Sequence, residues 1–229
     1  MIVLMSAFLL LSAFSCGGGN KANSTSEQDE KTVVNVPQFD ADSAYLYVKN
    51  QVDFGPRVPN TKEHVACGNY LAGKLEAFGA KVTNQYADLI AYDGTLLKAR
   101  NIIGSYKPES KKRIALFAHW DTRPWADNDA DEKNHHTPIL GANDGASGVG
   151  ALLEIARLVN QQQPELGIDI IFLDAEDYGT PQFYEGKHKE EAWCLGSQYW
   201  SRNPHVQGYN ARFGILLDMV AVSYTHLTL

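Results

Sequence analysis

The sequence predicts an α/β protein: a three-layer, mostly parallel mixed sheet flanked by helices, incomplete at its C-terminal end. Three observations carry that expectation. Two runs, Arg113–His119 (RIALFAH) and Gly167–Leu173 (GIDIIFL), are nearly continuous in apolar residues, as strands buried on both faces are. Between them, Val149, Leu152, Leu153, Ile155, Ala156 and Val159 recur at helical period. Polar side chains of one chemical kind follow directly on each apolar run, at the edge where open α/β sheets bind ligands.

The other elements follow in order. Phe39–Val52 is helical in pattern and has an Asp/Ser-rich start, and FGPRVPNT after it is a turn-rich connector with two prolines. A second helix spans Thr61 to Phe78, with Val65, Tyr70, Leu71 and Leu75 on its apolar side, and stops at Gly79. Lys81–Ala91 and Thr95–Gly104 are β-like runs separated by Tyr92-Asp93-Gly94, a hairpin signal that places an antiparallel pair at the sheet edge. After RIALFAH a long polar loop, Thr122–Pro138, leads into ILGANDGASG. There Gly141 and Gly145 relieve the Cβ clash of a tight turn, and Ser147 with Asp144 is placed to cap the next helix. GIDIIFL is followed by a loop, a helix at Leu195–Arg202 and a last strand at Arg212–Met219.

The ends read differently. Residues 1–16 are an apolar run too short to span a membrane comfortably, and Ala13-Phe14-Ser15-Cys16 resembles a bacterial lipobox, although no Lys or Arg precedes the apolar stretch. A plain secretory signal is the alternative, and both readings export the chain. The lipobox reading gives a lipid anchor at Cys16 in the periplasm or cell-envelope membrane. Residues 17–36, polar and Gly/Ser-rich at their start, are a flexible tether; residues 37–221 are the catalytic domain. Residues 222–229 resemble foreign adaptor sequence, which makes the domain a truncated one. Cys67 and Cys194 are left as an even pair in an oxidising compartment, bridged or free. A net charge of −7 without a basic cluster among aromatics excludes nucleic acid as a partner.

His119, Asp121, Asp174, Glu176, Asp177 and Asp218 all sit just past strand ends. Carboxylates and a His without Cys pairs suit Zn²⁺ held by oxygen and nitrogen. Adjacent Glu176 and Asp177 repel, so both ionise more easily when one binds a cation and the other transfers protons. Taken alone, that pair is a solvated acidic turn and Asp144 a dipole-complementing residue; their convergence overturns the bland reading. The Gly145–Val149 string lacks the last glycine of a nucleophile elbow, and no GxxxxGK[ST] occurs. Trp193–Trp200 suits either a pocket wall or helix packing.

HWD, GANDGASG, DAED and LLDM follow one another as in the zinc aminopeptidase superfamily called M28, which the chain resembles from Phe39 to Val220. HWDTRPWAD, FLDAEDYG and WCLGSQYW resemble its bacterial glutaminyl-peptide cyclotransferase branch in particular. The resemblance implies Zn²⁺ on Asp144 and Asp177, with Glu176 as general acid/base and Asp218 as a second active-site carboxylate. Asp177 stands where the superfamily usually has Glu, and the family's third ligand, a His, falls past Leu229. The implied substrates are peptide or protein N-termini bearing Gln, converted to pyroglutamate by a monomer. The same residues also fit a two-zinc aminopeptidase, with Asp144 bridging, His119 and Asp218 on the second metal and Asp121 orienting His119. A non-catalytic surface lipoprotein of the same fold is the third reading.

Overall fold

A computed structural model describes residues 35–220. The export signal, most of the tether, Cys16 and the foreign tail of the sequence reading lie outside those residues. Helix α1 (Ala41–Val52) starts where Asp40 accepts the amide hydrogens of Asp42 and Ser43, and α2 (Lys62–Ala77) where Thr61 accepts that of His64. These are the side-chain caps that satisfy first-turn amides with no helical partner. Strands β1 (Lys81–Ile90) and β2 (Leu96–Tyr106) form the expected antiparallel hairpin. Then come β3 (Arg113–His119), α3 (Ala146–Gln161), β4 (Gly167–Leu173), α4 (Leu195–Arg202) and the short β5 (Gly214–Leu216).

The five strands lie in the order β1-β2-β4-β3-β5. β3 runs parallel to both β4 and β5, while the hairpin joins β4 antiparallel through β2. The mixed sheet and its flanking helices match the expected class. Alternation along the central strands divides two cores. Leu116, Ala118, Ile170 and Phe172 face α2 and α3, where Leu71, Leu75, Leu152 and Leu153 meet them, all 7% exposed or less. Ala115, Ile171 and Leu173 face the opposite side, under Trp200 and Tyr209. Fully burying a Leu- or Ile-sized side chain stabilises the fold by about 1.5–3 kcal/mol, so these two layers fix where the strand ends emerge.

Two local expectations are corrected. The last strand is not eight residues but three, and among the described residues it pairs with β3 alone. Its hydrogen bonding to β3 still runs from Arg212 N–H to Leu217 N–H before the chain turns away. Ser147 and Asp144 do not cap α3. Gly145 is the N-cap, at φ +87°, and no side chain caps the helix. A Cβ at Gly145 would stand 2.7 Å from the Asp121 carbonyl, so the turn has no room there for the side chain of a capping residue. Ser147 Oγ instead donates to the Asn143 carbonyl and accepts from the Val220 amide at 3.0 Å.

Candidate active site and metal centre

The C-terminal ends of β3, β4 and β5 bring His119, Asp144, Glu176, Asp177 and Asp218 together. Ligand atoms of His119, Asp144 and Asp177 all lie within 4.8 Å of one another, and so do those of His119, Glu176 and Asp218. His119 Nε2 is 2.9 Å from Asp144 Oδ1 and 3.6 Å from Asp218 Oδ1. All four sequence-predicted site residues therefore reach one place, and His119 joins both groups. Asp174 does not reach it. Fully buried, it receives His64 Nε2 at 2.9 Å and the Arg100 amide at 2.6 Å, and His64 stacks on Trp120 with ring centroids 4.3 Å apart.

Each carboxylate is held by recognisable local structure. The turn Asp174–Asp177 passes through left-handed Ala175 at φ +51°, which swings Glu176 and Asp177 off the strand axis. It is strapped to the start of α4: the amides of Cys194, Leu195 and Gly196 donate to the carbonyls of Glu176, Ala175 and Asp174 at 2.9–3.0 Å. A Cβ at Gly196 would stand 2.0 Å from the Asp174 carbonyl, which is why WCLG requires its glycine. Asp121, fully buried, accepts the amides of Glu176 and Asp177 at 3.0 Å each and faces His119 Nδ1 at 3.5 Å. It thus ties the ends of β3 and β4 together. Asp218 follows β5 directly, next to Met219 at φ +47°.

Two arginines that sequence reasoning passed over lock the surroundings. Arg57, fully buried, donates to the carbonyls of Trp120, Leu140 and Gly141. Arg123 forms a bidentate pair with Asp127 at 2.5–2.6 Å and donates to the Asp177 carbonyl at 3.1 Å, with Trp193 4.6 Å beneath its guanidinium. Trp193 thus stands beside the site, whereas Trp200 packs edge-on against Phe117 and Tyr209. Of the two uses the sequence reading left open, Trp200 takes the packing one. Cys67 and Cys194 are both free thiols.

Burial, and after it the crowding of charged groups, sets the electrostatics. Burial pushes the Glu176 carboxyl up to about 7, and nearby Asp121, Asp218 and Asp144 add to it against His119. Burial pushes Asp177 up to about 8, with Asp121 the next cause. Burial opposes charge on His119, but Asp121, Asp144 and Asp218 outweigh it and hold the imidazole well above its usual value. These are the signs of a site built around a positive charge. Asp177 Oδ2 is buried without a hydrogen-bond partner among the described residues, and the buried ring nitrogens of His119 face only carboxylates, none of them in a well-aimed hydrogen bond. Buried polar atoms rarely go unsatisfied unless a ligand completes them. Imidazole nitrogen and carboxylate oxygens converging in this way fit a divalent cation.

Comparison with known proteins agrees with this geometry. Residues 101–228 match the family model described as peptidase family M28. A Zn-dependent exopeptidase from Parabacteroides distasonis ATCC 8503 superposes with a TM-score of 0.80 at 64% identity, over 81% of this chain and 63% of that one. Glutaminyl cyclase from Tannerella forsythia gives 0.78 at 61% identity (80% and 63%), and that from Porphyromonas gingivalis 0.75 at 57% (80% and 62%). The chain thus spans less than two thirds of the length of these solved relatives.

Proposed function

The chain belongs to peptidase family M28, and from that premise we propose that it is a zinc-dependent glutaminyl-peptide cyclotransferase. It converts the N-terminal Gln of peptides and proteins to pyroglutamate and releases ammonia. The single observation that carries the reading is Glu176: a half-buried carboxyl poised near neutrality, grouped with His119 and Asp218 and adjacent in sequence to Asp177. The identity of 61% to a solved glutaminyl cyclase supports the same choice.

Asp144 and Asp177 hold the zinc in this reading. When bound, the ion polarises the γ-carboxamide of the substrate as a Lewis acid. The α-amine of the Gln attacks its own side-chain carbonyl carbon. Glu176 takes the proton that the amine loses and returns it to the departing nitrogen, so one C–N bond forms, one breaks, and ammonia leaves. A carboxyl with a pKa near the working pH suits both halves of that transfer. Asp218, 3.6 Å from His119 Nε2, keeps the imidazole facing the reacting groups. Asp121 holds the Glu176 and Asp177 amides, and so fixes where both carboxylates point.

A second reading, a two-zinc exopeptidase, rests on the sharing of His119 between the two ligand groups and on the exopeptidase from Parabacteroides distasonis. There Glu176 activates a water. The whole gene product decides between them: ammonia from Gln-initiated peptides and one zinc per chain support the cyclase, whereas free amino acids and two zincs support the exopeptidase. We also propose export and anchoring through acylated Cys16; Cys16→Ser then moves the protein from the membrane to the soluble fraction of a lipoprotein-processing bacterium. Unchanged fractionation rules the anchor out.

A further inference from the structure

A row of aromatic rings leaves the candidate site in one direction. Tyr178 is the residue after Asp177, and its ring meets Trp125 edge-on at 5.1 Å between centroids. Trp125 meets Tyr92 at 5.9 Å, and Tyr92 meets Tyr184 at 5.0 Å. Phe183 leans on Trp125 at 6.3 Å. The row is tied to the site covalently through Tyr178 and also through Arg123, whose guanidinium lies 5.7 Å from the Trp125 ring and donates to the Asp177 carbonyl. Its far end is open to solvent: Phe183 is 39% and Tyr184 36% exposed, and nearby Ile90 is 62% exposed.

That end forms a cavity of about 340 Å³ lined by Ile90, Ala91, Tyr92 and Tyr184 and also by the charged Lys187, Lys189 and Glu191. The hairpin end and the loop after β4 build it together. A volume of this size accepts one large side chain. Clustered half-exposed aromatics are unusual on a surface that needs only solubility, and they mark contact sites.

We propose that this row is a subsite for the peptide downstream of the reacting N-terminal residue, with the terminal cavity accepting an aromatic side chain. The proposal rests on the cyclase reading only for the identity of the first residue. Three ring-to-ring steps of 5.0–5.9 Å link Tyr178 to Tyr184 along the row. A peptide extended at about 3.3 Å per residue covers them in about five residues, which puts the selected side chain near position five or six. Tyr and Trp are suited to such a platform because they offer large contact area at little conformational cost. The preferred substrates are thus Gln-initiated chains with Phe, Tyr or Trp four or five residues further on.

The test separates binding from turnover. Pyroglutamyl hexapeptides, which neither a cyclase nor an aminopeptidase consumes, are titrated into the whole gene product by calorimetry, with Phe or Gly at position five and then at position six. A Phe peptide binding about tenfold more tightly than its Gly counterpart, with the difference removed by Tyr184→Ala, supports the subsite. Equal affinities, or a difference that survives Tyr184→Ala, overturn it. Pyroglutamyl-alanine amide, too short to reach the cavity, binds wild type and Tyr184→Ala alike; unequal binding overturns the assignment of Tyr184 to a remote subsite. Ammonia release from Gln-alanine amide is measured separately, so a failed cyclase reading shows itself there and leaves the binding result decisive.

Discussion

Arg57 Nη2 donates to the Gly141 carbonyl at 2.8 Å, across a separation of 84 residues. The same guanidinium reaches Leu140 and Trp120, so one side chain from the connector after α1 pins both the turn that carries Asp144 and the residue after His119. It is a buried positive charge beside Asp121 and Asp144, bonded to carbonyls and not to a carboxylate. Burial alone pushes its guanidinium below the usual value, and those two acids push it back.

Arg57→Lys keeps the charge but cannot fork to three acceptors. At least one carbonyl is left unsatisfied, at a cost of about 1–3 kcal/mol, visible as a lower midpoint in urea unfolding. Zinc affinity, measured against a competing chelator, falls by about 10–100-fold, as for other residues that orient ligands from behind. Wild-type zinc affinity in a destabilised variant leaves Arg57 a structural role only.

Asp144 is the proposed ligand most open to a direct test, being one third exposed and outside the sheet. Asp144→Ala is expected to lose zinc and activity together while the fold persists, because the buried His119 that its carboxylate faces keeps Asp121 and Asp218. Elemental analysis of the purified variant against wild type is the check. A wild-type zinc content removes Asp144 from the ligand set.

β3 and β4 begin and end where the sequence places them, because a strand buried on both faces announces itself by composition. The site carboxylates were legible for a related reason: strand ends are where the apolar run stops, so the first acids after it define the edge. Arg57 was not legible, since its partners are backbone carbonyls far along the chain, which any residue type supplies. His119 entered the sequence reading among the polar residues at the strand ends, and was named as a ligand only in the two-metal alternative. Its ring, which in three dimensions faces Asp144 and Asp218 together, gives it a place in both ligand groups. The failed Ser147 cap has the opposite cause: the residue type fits, but the tight approach of Gly145 to Asp121 leaves no space.

On the opposite end of the sheet, Asp169 is fully buried and receives Arg113 through two bonds of 2.6 and 2.8 Å, together with Ser105 and Tyr209 at 2.7 Å. Burial pushes its carboxyl up, but these donors outweigh burial and hold it below the ordinary value. A depressed folded-state pKa contributes stability that is present above the unfolded value, about 3.9, and is lost as pH falls through the folded one. Asp169→Asn leaves Arg113 buried and unpaired, costing about 3–5 kcal/mol at pH 7. The gap between wild type and variant in urea unfolding should narrow from about pH 4 downward. A gap independent of pH means the pair does not contribute through ionisation.

In the proposed reaction Glu176 carries the proton transfer, and its neighbour supplies the internal control. Its substrate amine is already tethered at ring-closing distance from the carbonyl it attacks, so most of the entropic barrier is absent before the enzyme acts. What remains is positioning and proton transfer. Glu176→Gln keeps the shape and the Asp121 contact, which is made through the backbone amide, but removes the acid/base. Zinc should stay, because the proposed ligands are Asp144 and Asp177, while turnover of a Gln-initiated peptide falls by at least ~10²-fold, the usual worth of a placed acid/base. Asp177→Asn, one residue on, should lose zinc and turnover together. Loss of zinc in Glu176→Gln, or a rate within a few-fold of wild type, assigns the proton transfer to another group.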